Sequence, residues 1–229
     1  MKLIPASTGG RIRLLALLGV LLALGLAYHD YLYFLGPRLP AIYYYFRYDP
    51  QEGDVIFQSL PHNDLVDTIE GVSHSPYSHC GVVLKGANDS WVVIEAIGPV
   101  HETPLISWVM RGRGGDFDVY RLDSTHLPLV PKFKNTLLTY RGTPYDADYD
   151  MTHNTNEVYC SSMVYLAFQK TTGEQMGKLE KLGDLDWKPF AAFIMADQLG
   201  HLPLDRVMIT PASLSRAPQL HEVYHSALW

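Results

Sequence analysis

Residues 157–168 read EVYCSSMVYLAF. Met163, Val164, Ala167 and Phe168 recur at helical spacing, so Tyr159 to Lys170 is predicted to be a helix with Cys160 in its first turn. Free amide groups and the positive dipole end at a helix start favour a thiolate. Position alone does not make a nucleophile, because a reactive thiol also needs a base nearby. The chain has 2 cysteines, and the other lies in SPYSHCGVVL, residues 75–84, directly after His79. Cys160 is therefore an inert buried thiol, half of a disulfide, or a nucleophile served by His79.

Residues 79–85 form an apolar run of strand length. Alternate side chains in a strand face opposite ways, so His79 shares a face with Gly81 and Val83, and Cys80 points with Val82 and Leu84 into the core. On this reading Cys80 turns away from Cys160, against a Cys80–Cys160 disulfide and a redox role, and no CxxC motif is present. WVVIEAIG, residues 91–98, places Glu95 in an otherwise apolar strand. A buried carboxylate is costly without a partner. If residues 86–90 turn the chain about Ala87, His79 and Glu95 fall directly opposite, about 4.5–5.5 Å apart at Cβ. A carboxylate holding one imidazole nitrogen leaves the other for a thiol. The plainer alternative is a structural His–Glu pair that stiffens the sheet.

The rest of the chain frames this constellation. Its 229 residues are 47% hydrophobic, enough for one domain with a substantial core, and the formal charge of −6 argues against broad nucleic-acid binding. His62, His74, His101, His126 and His153 show no HExxH or other ligand spacing, and no glycine-rich phosphate loop is present, so neither a metal nor an organic cofactor is called for. Tyr145, Asp146, Asp148 and Asp150 read as an acidic surface loop without an EF-hand pattern. Tyr145 and Tyr159 either line a site or simply pack. A short strand at 55–58, the hairpin, a strand at 117–122 and helices at 131–140 and 189–199 make the domain α+β.

Residues 1–30 read as a signal peptide or membrane anchor: Lys2, Arg11 and Arg13 precede the uncharged run LLALLGVLLALGLAY, residues 14–28. As a helix that run spans about 22 Å, short of a roughly 30 Å hydrocarbon layer, and Asp30 interrupts its extension to Leu35. Either fate exports the remainder to the periplasm or cell envelope, with residues 14–35 as an inner-membrane anchor if retained. Residues 31–48 form an aromatic-rich linker or strap, suited either to a headgroup interface or to packing on the domain. The domain proper occupies residues 49–229.

Five segments together, EGDVIFQ (52–58), SPYSHCGVVL (75–84), WVVIEAIGPV (91–100), YRGTPYDADYD (140–150) and EVYCSSMVYLAF (157–168), resemble the permuted papain-like proteins of the YiiX/YebB type, relatives of the NlpC/P60 cysteine peptidases and amidases. The resemblance spans roughly residues 50–225 and rests on the order of the five segments. It implies a circularly permuted papain-like fold with a central antiparallel sheet packed against helices, in which the histidine precedes the cysteine. It also implies Cys160 as nucleophile, His79 as base and Glu95 as orienting group, with Tyr145 and Tyr159 at substrate-binding positions and Gly53-Asp54 as a structural turn. Many members carry Tyr-Cys-Ser-Glu at the nucleophile, whereas Ser162 stands in the acid's place here, so any substrate contact of that acid is missing. The implied activity is cofactor-independent hydrolysis of an amide bond through an acyl thioester, in peptide substrates such as murein fragments. A lipid-directed thioester hydrolase or acyltransferase and a catalytically silent envelope binding module are the alternatives.

Overall fold

The computed structural model describes residues 16–26, 28, 39–152 and 156–226. Of the predicted export segment, residues 16–26, which are helical, and residue 28 are described, whereas Tyr31, Tyr33 and Phe34 of the aromatic stretch lie outside the described residues. Among the described residues, no helix is long and apolar enough to cross a membrane.

The strands are β1 (Val55–Gln58), β2 (His79–Lys85), β3 (Trp91–Glu95), β4 (His101–Pro104), β5 (Asp118–Leu122), β6 (Glu180–Lys181), β7 (Val207–Met208) and β8 (Leu220–His225). Six of them form one antiparallel sheet in the order β4-β3-β2-β1-β5-β8, and β6 and β7 pair separately. The central strands are covered on both faces, which is why β1 and β2 read as continuous apolar runs rather than alternating ones. Val55, Phe57, Cys80, Val82, Leu84 and Ile94 enter one core. Ile56, Val83 and Val93 enter a second core with Trp108 and Phe117.

The helices are α1 (Leu39–Arg47), α2 (Asp64–Ser73), α3 (Leu105–Arg111), α4 (Val130–Leu138), α5 (Cys160–Thr172), α6 (Ala191–Asp197) and α7 (Pro211–Ser215). Phe133 and Leu137 of α4 and Met163, Val164 and Phe168 of α5 pack into the first core. Ala41 of α1 and Leu105, Trp108 and Val109 of α3 fill the second, with Tyr44, Tyr45 and Tyr48 against the same face. The described end of the aromatic stretch thus lies as a strap on the sheet, while Tyr43 and Phe46 stay exposed. This is the α+β architecture expected for the permuted papain-like fold.

Asp54 is buried and ties three segments together. It accepts hydrogen bonds from Arg121 Nε at 2.7 Å, Arg121 Nη2 at 2.9 Å and Tyr48 Oη at 2.5 Å. Those partners explain how a carboxylate tolerates a fully buried site at the entry to β1.

The β2–β3 hairpin differs from the sequence expectation by two residues. Val82 pairs with Ile94 and Lys85 with Trp91, so the turn centres on Asn88 rather than Ala87. Asn88 and Asp89 have φ of 59° and 60°, the left-handed region that asparagine and aspartate tolerate and alanine does not. The same register sets Gly81, not His79, across from Glu95. Strand β4, a polar edge strand of sequence HETP, was not expected from its composition.

Candidate active site

Cys160 is the first residue of α5, and Tyr159 is its extended N-cap at φ −105° and ψ 175°. Ser162 accepts a hydrogen bond from the Tyr159 amide at 2.8 Å and donates to the Tyr159 carbonyl at 3.0 Å. This is the work of the third helical residue in a capping box, ordinarily done by glutamate or glutamine. Ser162 is buried and serves the helix start, so the residue at this position acts here on the backbone that presents Cys160. Ser161 donates to the Ile209 carbonyl at 2.7 Å, and the Tyr159 phenol accepts from the Ile209 amide at 2.9 Å. The nucleophile turn is therefore clamped to the segment leading into α7.

His79 and Glu95 meet as expected, from a different geometry. His79 Nε2 lies 2.6 Å from Glu95 Oε2, both side chains being buried. They are diagonal rather than opposite neighbours, a separation a glutamate side chain spans. Gly81 opens the way: a Cβ there would stand 2.4 Å from Val93 Cγ1 and 3.4 Å from Glu95 Cβ. Glu95 also accepts from Thr103 Oγ1 at 2.5 Å and from Arg111 Nη2. Burial pushes the Glu95 carboxyl up, but His79, Arg111 and Thr103 outweigh it and hold the group at about 2. Burial likewise opposes charge on His79, yet its interactions with Cys160 and Glu95 raise the imidazole to about 9.

Cys160 interacts with both residues at the start of β2. The Cys80 thiol is the foremost influence lowering its pKa, burial opposes, and His79 lowers it further. Alternation does send Cys80 to the face opposite His79. That is also the face on which α5 packs, so Cys80 meets the helix start while the His79 ring reaches it from the strand end. The expectation that strand facing keeps Cys80 away from Cys160 is thus corrected: it assumed that only one face of β2 could touch the nucleophile. Both cysteines are free thiols. With His79 Nε2 engaged by Glu95, the other ring nitrogen remains for Cys160.

Tyr145 and Tyr159 both reach the site. An isolated parallel bridge joins Tyr145 to Val158, two residues before the nucleophile. Tyr145 and Tyr149 rings are 6.0 Å apart, and Tyr149 and Tyr159 rings 5.5 Å apart. Burial, followed by the negative charge of Cys160, pushes the Tyr145 phenol up. These rings and Cys160 line a cavity holding about 710 Å³ of empty space, counting the part open to solvent. Leu65, Ile69, Val72, Ile194 and Ile209 make the remaining wall predominantly apolar, with Asp197, Gln198 and Arg206 among the polar members. Arg206 donates to Gln198 Oε1.

Sequence reading missed Arg111, Thr103, Tyr149 and the role of Cys80. A buried glutamate signals that it needs partners, but nothing local says that a helix end sixteen residues on supplies one of them.

A family model described as "Permuted papain-like amidase enzyme, YaeF/YiiX, C92 family" matches residues 49–224. The chain belongs to this family. It is 31% identical over 181 residues to the "Uncharacterized protein YiiX" of Escherichia coli (strain K12), covering 78% of this chain and 88% of that protein. It is also similar to the crystal structure of YiiX from Escherichia coli O157:H7, with a TM-score of 0.71 and 31% identity over 78% of this chain and 98% of that one. Membership in the YaeF/YiiX family supports hydrolase activity of the amidase kind and a peptide or amide substrate. The O157:H7 protein is described as a metalloprotein. In this chain, among the described residues, no group of three or more His, Cys, Asp or Glu is placed to hold a metal ion.

Proposed function

We propose that the protein is a cysteine-dependent hydrolase that cleaves an acyl bond through a thioester on Cys160. The observation that carries this reading is the buried His79–Glu95 pair, 2.6 Å apart, on the strand that packs against the helix begun by Cys160, with Cys160 and Glu95 both raising the imidazole. The raised imidazole and lowered thiol favour a resting thiolate–imidazolium pair. The thiolate attacks the substrate carbonyl, and amides at the helix start, including that of Cys160, face the developing oxyanion. His79 then protonates the leaving amine, the C–N bond breaks, and the thioester remains. Water, deprotonated by His79, attacks the thioester and releases acid and free thiol. Glu95 holds the imidazole orientation and supports its positive charge.

Peptide amides are the first substrate class, on the strength of family membership. The apolar wall beside Cys160 favours a second reading in which the acyl group is a hydrophobic chain, as in a lipid amide or ester. The basic flank and apolar run of residues 1–28 support an envelope location for either class.

The test is to incubate full-length protein in detergent with peptide amides and with fatty-acyl amides of graded chain length. Hydrolysis by wild type, absence in C160A, and a covalent adduct on Cys160 whose mass equals the acyl group would support the reading. Turnover by C160A equal to wild type would sink it.

A further inference from the structure

We propose that the outer face of α1 seats the domain on a lipid bilayer. The helix spans Leu39–Arg47 and has two faces. Ala41, Tyr44, Tyr45 and the following Tyr48 turn inward onto the second core. Leu39, Tyr43 and Phe46 recur at helical spacing and turn outward, 55%, 57% and 77% exposed. Large apolar side chains scattered singly are ordinary on a surface, but three along one helical stripe mark an interaction face. Arg47 closes the stripe: its guanidinium lies over the Tyr43 ring, 5.5 Å from the centroid, and Nη1 donates to the Tyr43 phenol at 2.9 Å. Aromatic rings with a polar tip, beside an arginine, suit the level of lipid headgroups.

The chain ahead of α1 identifies the partner as lipid rather than protein. Residues 16–26 are helical and carry no charge. Leu17, Leu18, Val20, Leu21, Leu22 and Leu24 are all exposed, and a side chain added at Gly19 or Gly25 would meet nothing within 4 Å. This helix is therefore apolar all round and uncovered all round. A protein partner selects one face, whereas hydrocarbon accepts every face at once. Residues 27–38 join it directly to Leu39, so a lipid surface that takes up the first helix lies within reach of the α1 stripe. The sheet then sets the orientation. The helix α1 packs on the second core and α5 on the first, so the sheet stands between the lipid surface and Cys160. The cavity beside Cys160 is walled by α2, α6 and the start of α5, among others, and by no residue of α1. Docked this way, the protein takes its substrate from the aqueous side of the membrane, a step that rests on the function proposed above.

The test places full-length protein in nanodiscs of phosphatidylethanolamine and phosphatidylglycerol, with a nitroxide on a single introduced cysteine. The background is C160A, which removes the reactive thiol, and Cys80 is buried. The F46C label reports the α1 stripe. The L199C label reports the cavity side, because Leu199 is 99% exposed just beyond α6, whose Phe193 and Ile194 line the cavity. Collision with oxygen, which concentrates in lipid, is compared with collision with a water-soluble nickel chelate. The expected result is an oxygen-to-nickel ratio severalfold higher at residue 46 than at residue 199. A label at 46 that sits in water overturns the docking. A label at 46 shielded from both probes also overturns it, and indicates a protein contact, a second copy of the chain included. A label at 199 in lipid overturns the orientation. None of these readouts uses a substrate, so a failure here is distinct from a failure of amide hydrolysis.

Discussion

Glu95 reaches His79 across a diagonal of the β2–β3 pair, with Gly81 occupying the position directly opposite the carboxylate. The absence of a side chain at 81 leaves the space through which the two groups meet. Gly81→Ala is therefore expected to lose about 1–3 kcal/mol of stability through overpacking against Val93 and the Ile94 carbonyl. It should also slow Cys160 alkylation by iodoacetamide at neutral pH. Chemical denaturation and alkylation kinetics check the two effects, and an alanine that leaves both unchanged would refute the role given to Gly81.

Removing the Glu95 charge while keeping its shape isolates the electrostatics. E95Q should lower the His79 pKa and raise that of Cys160. It should cut kcat by on the order of 10²–10⁴-fold, the usual range for a general acid–base contribution. The pH dependence of alkylation reports the thiol, and turnover reports the acid–base role.

The pH dependence of stability follows from two buried groups. His79 is raised from 6.5 to about 9, so its contribution is fully present below 6.5 and is lost as pH rises through about 9. Glu95 is lowered from 4.5 to about 2, so its contribution is present above 4.5 and is lost as pH falls through about 2. Urea midpoints across this range should decline at both ends. Because Cys160 raises His79 as well as Glu95 does, C160A should flatten the alkaline decline.

Turnover and thiol reactivity should separate above pH 9. Alkylation needs only the thiolate and stays fast once His79 loses its proton. Hydrolysis needs the imidazolium to protonate the leaving group, so kcat for an amide should fall above about 9. Parallel pH profiles of the two rates make the comparison.

Ser162→Ala removes the hydrogen bonds that close the start of α5. Loss of a cap of this kind costs about 0.5–2 kcal/mol. The melting temperature should drop, and Cys160 alkylation should slow because the helix start that presents the thiol loosens. Ser162→Glu should retain more of both than alanine does, since glutamate at this position can accept from the Tyr159 amide.

The amino-acid sequence by itself determined the elements and the identity of the central residues. Helical periodicity after Tyr159 set Cys160 at a helix start, and the apolar run at 79–85 is strand β2 over its full length. A carboxylate in the midst of WVVIEAIG announced that it needed a partner, because an unpaired buried charge is not tolerated. Local chemistry of this sort is written in residues a few positions apart. Tertiary structure decided what depends on contacts between distant segments. The hairpin register followed the left-handed conformations of Asn88 and Asp89, which moved Gly81 into the place expected for His79. Arg111 came to Glu95 from the end of α3, a contact set by how that helix packs on the sheet. Cys80 met Cys160 because a sheet covered on both sides offers functional neighbours on both, and alternation along one strand cannot say which helix lies on which face.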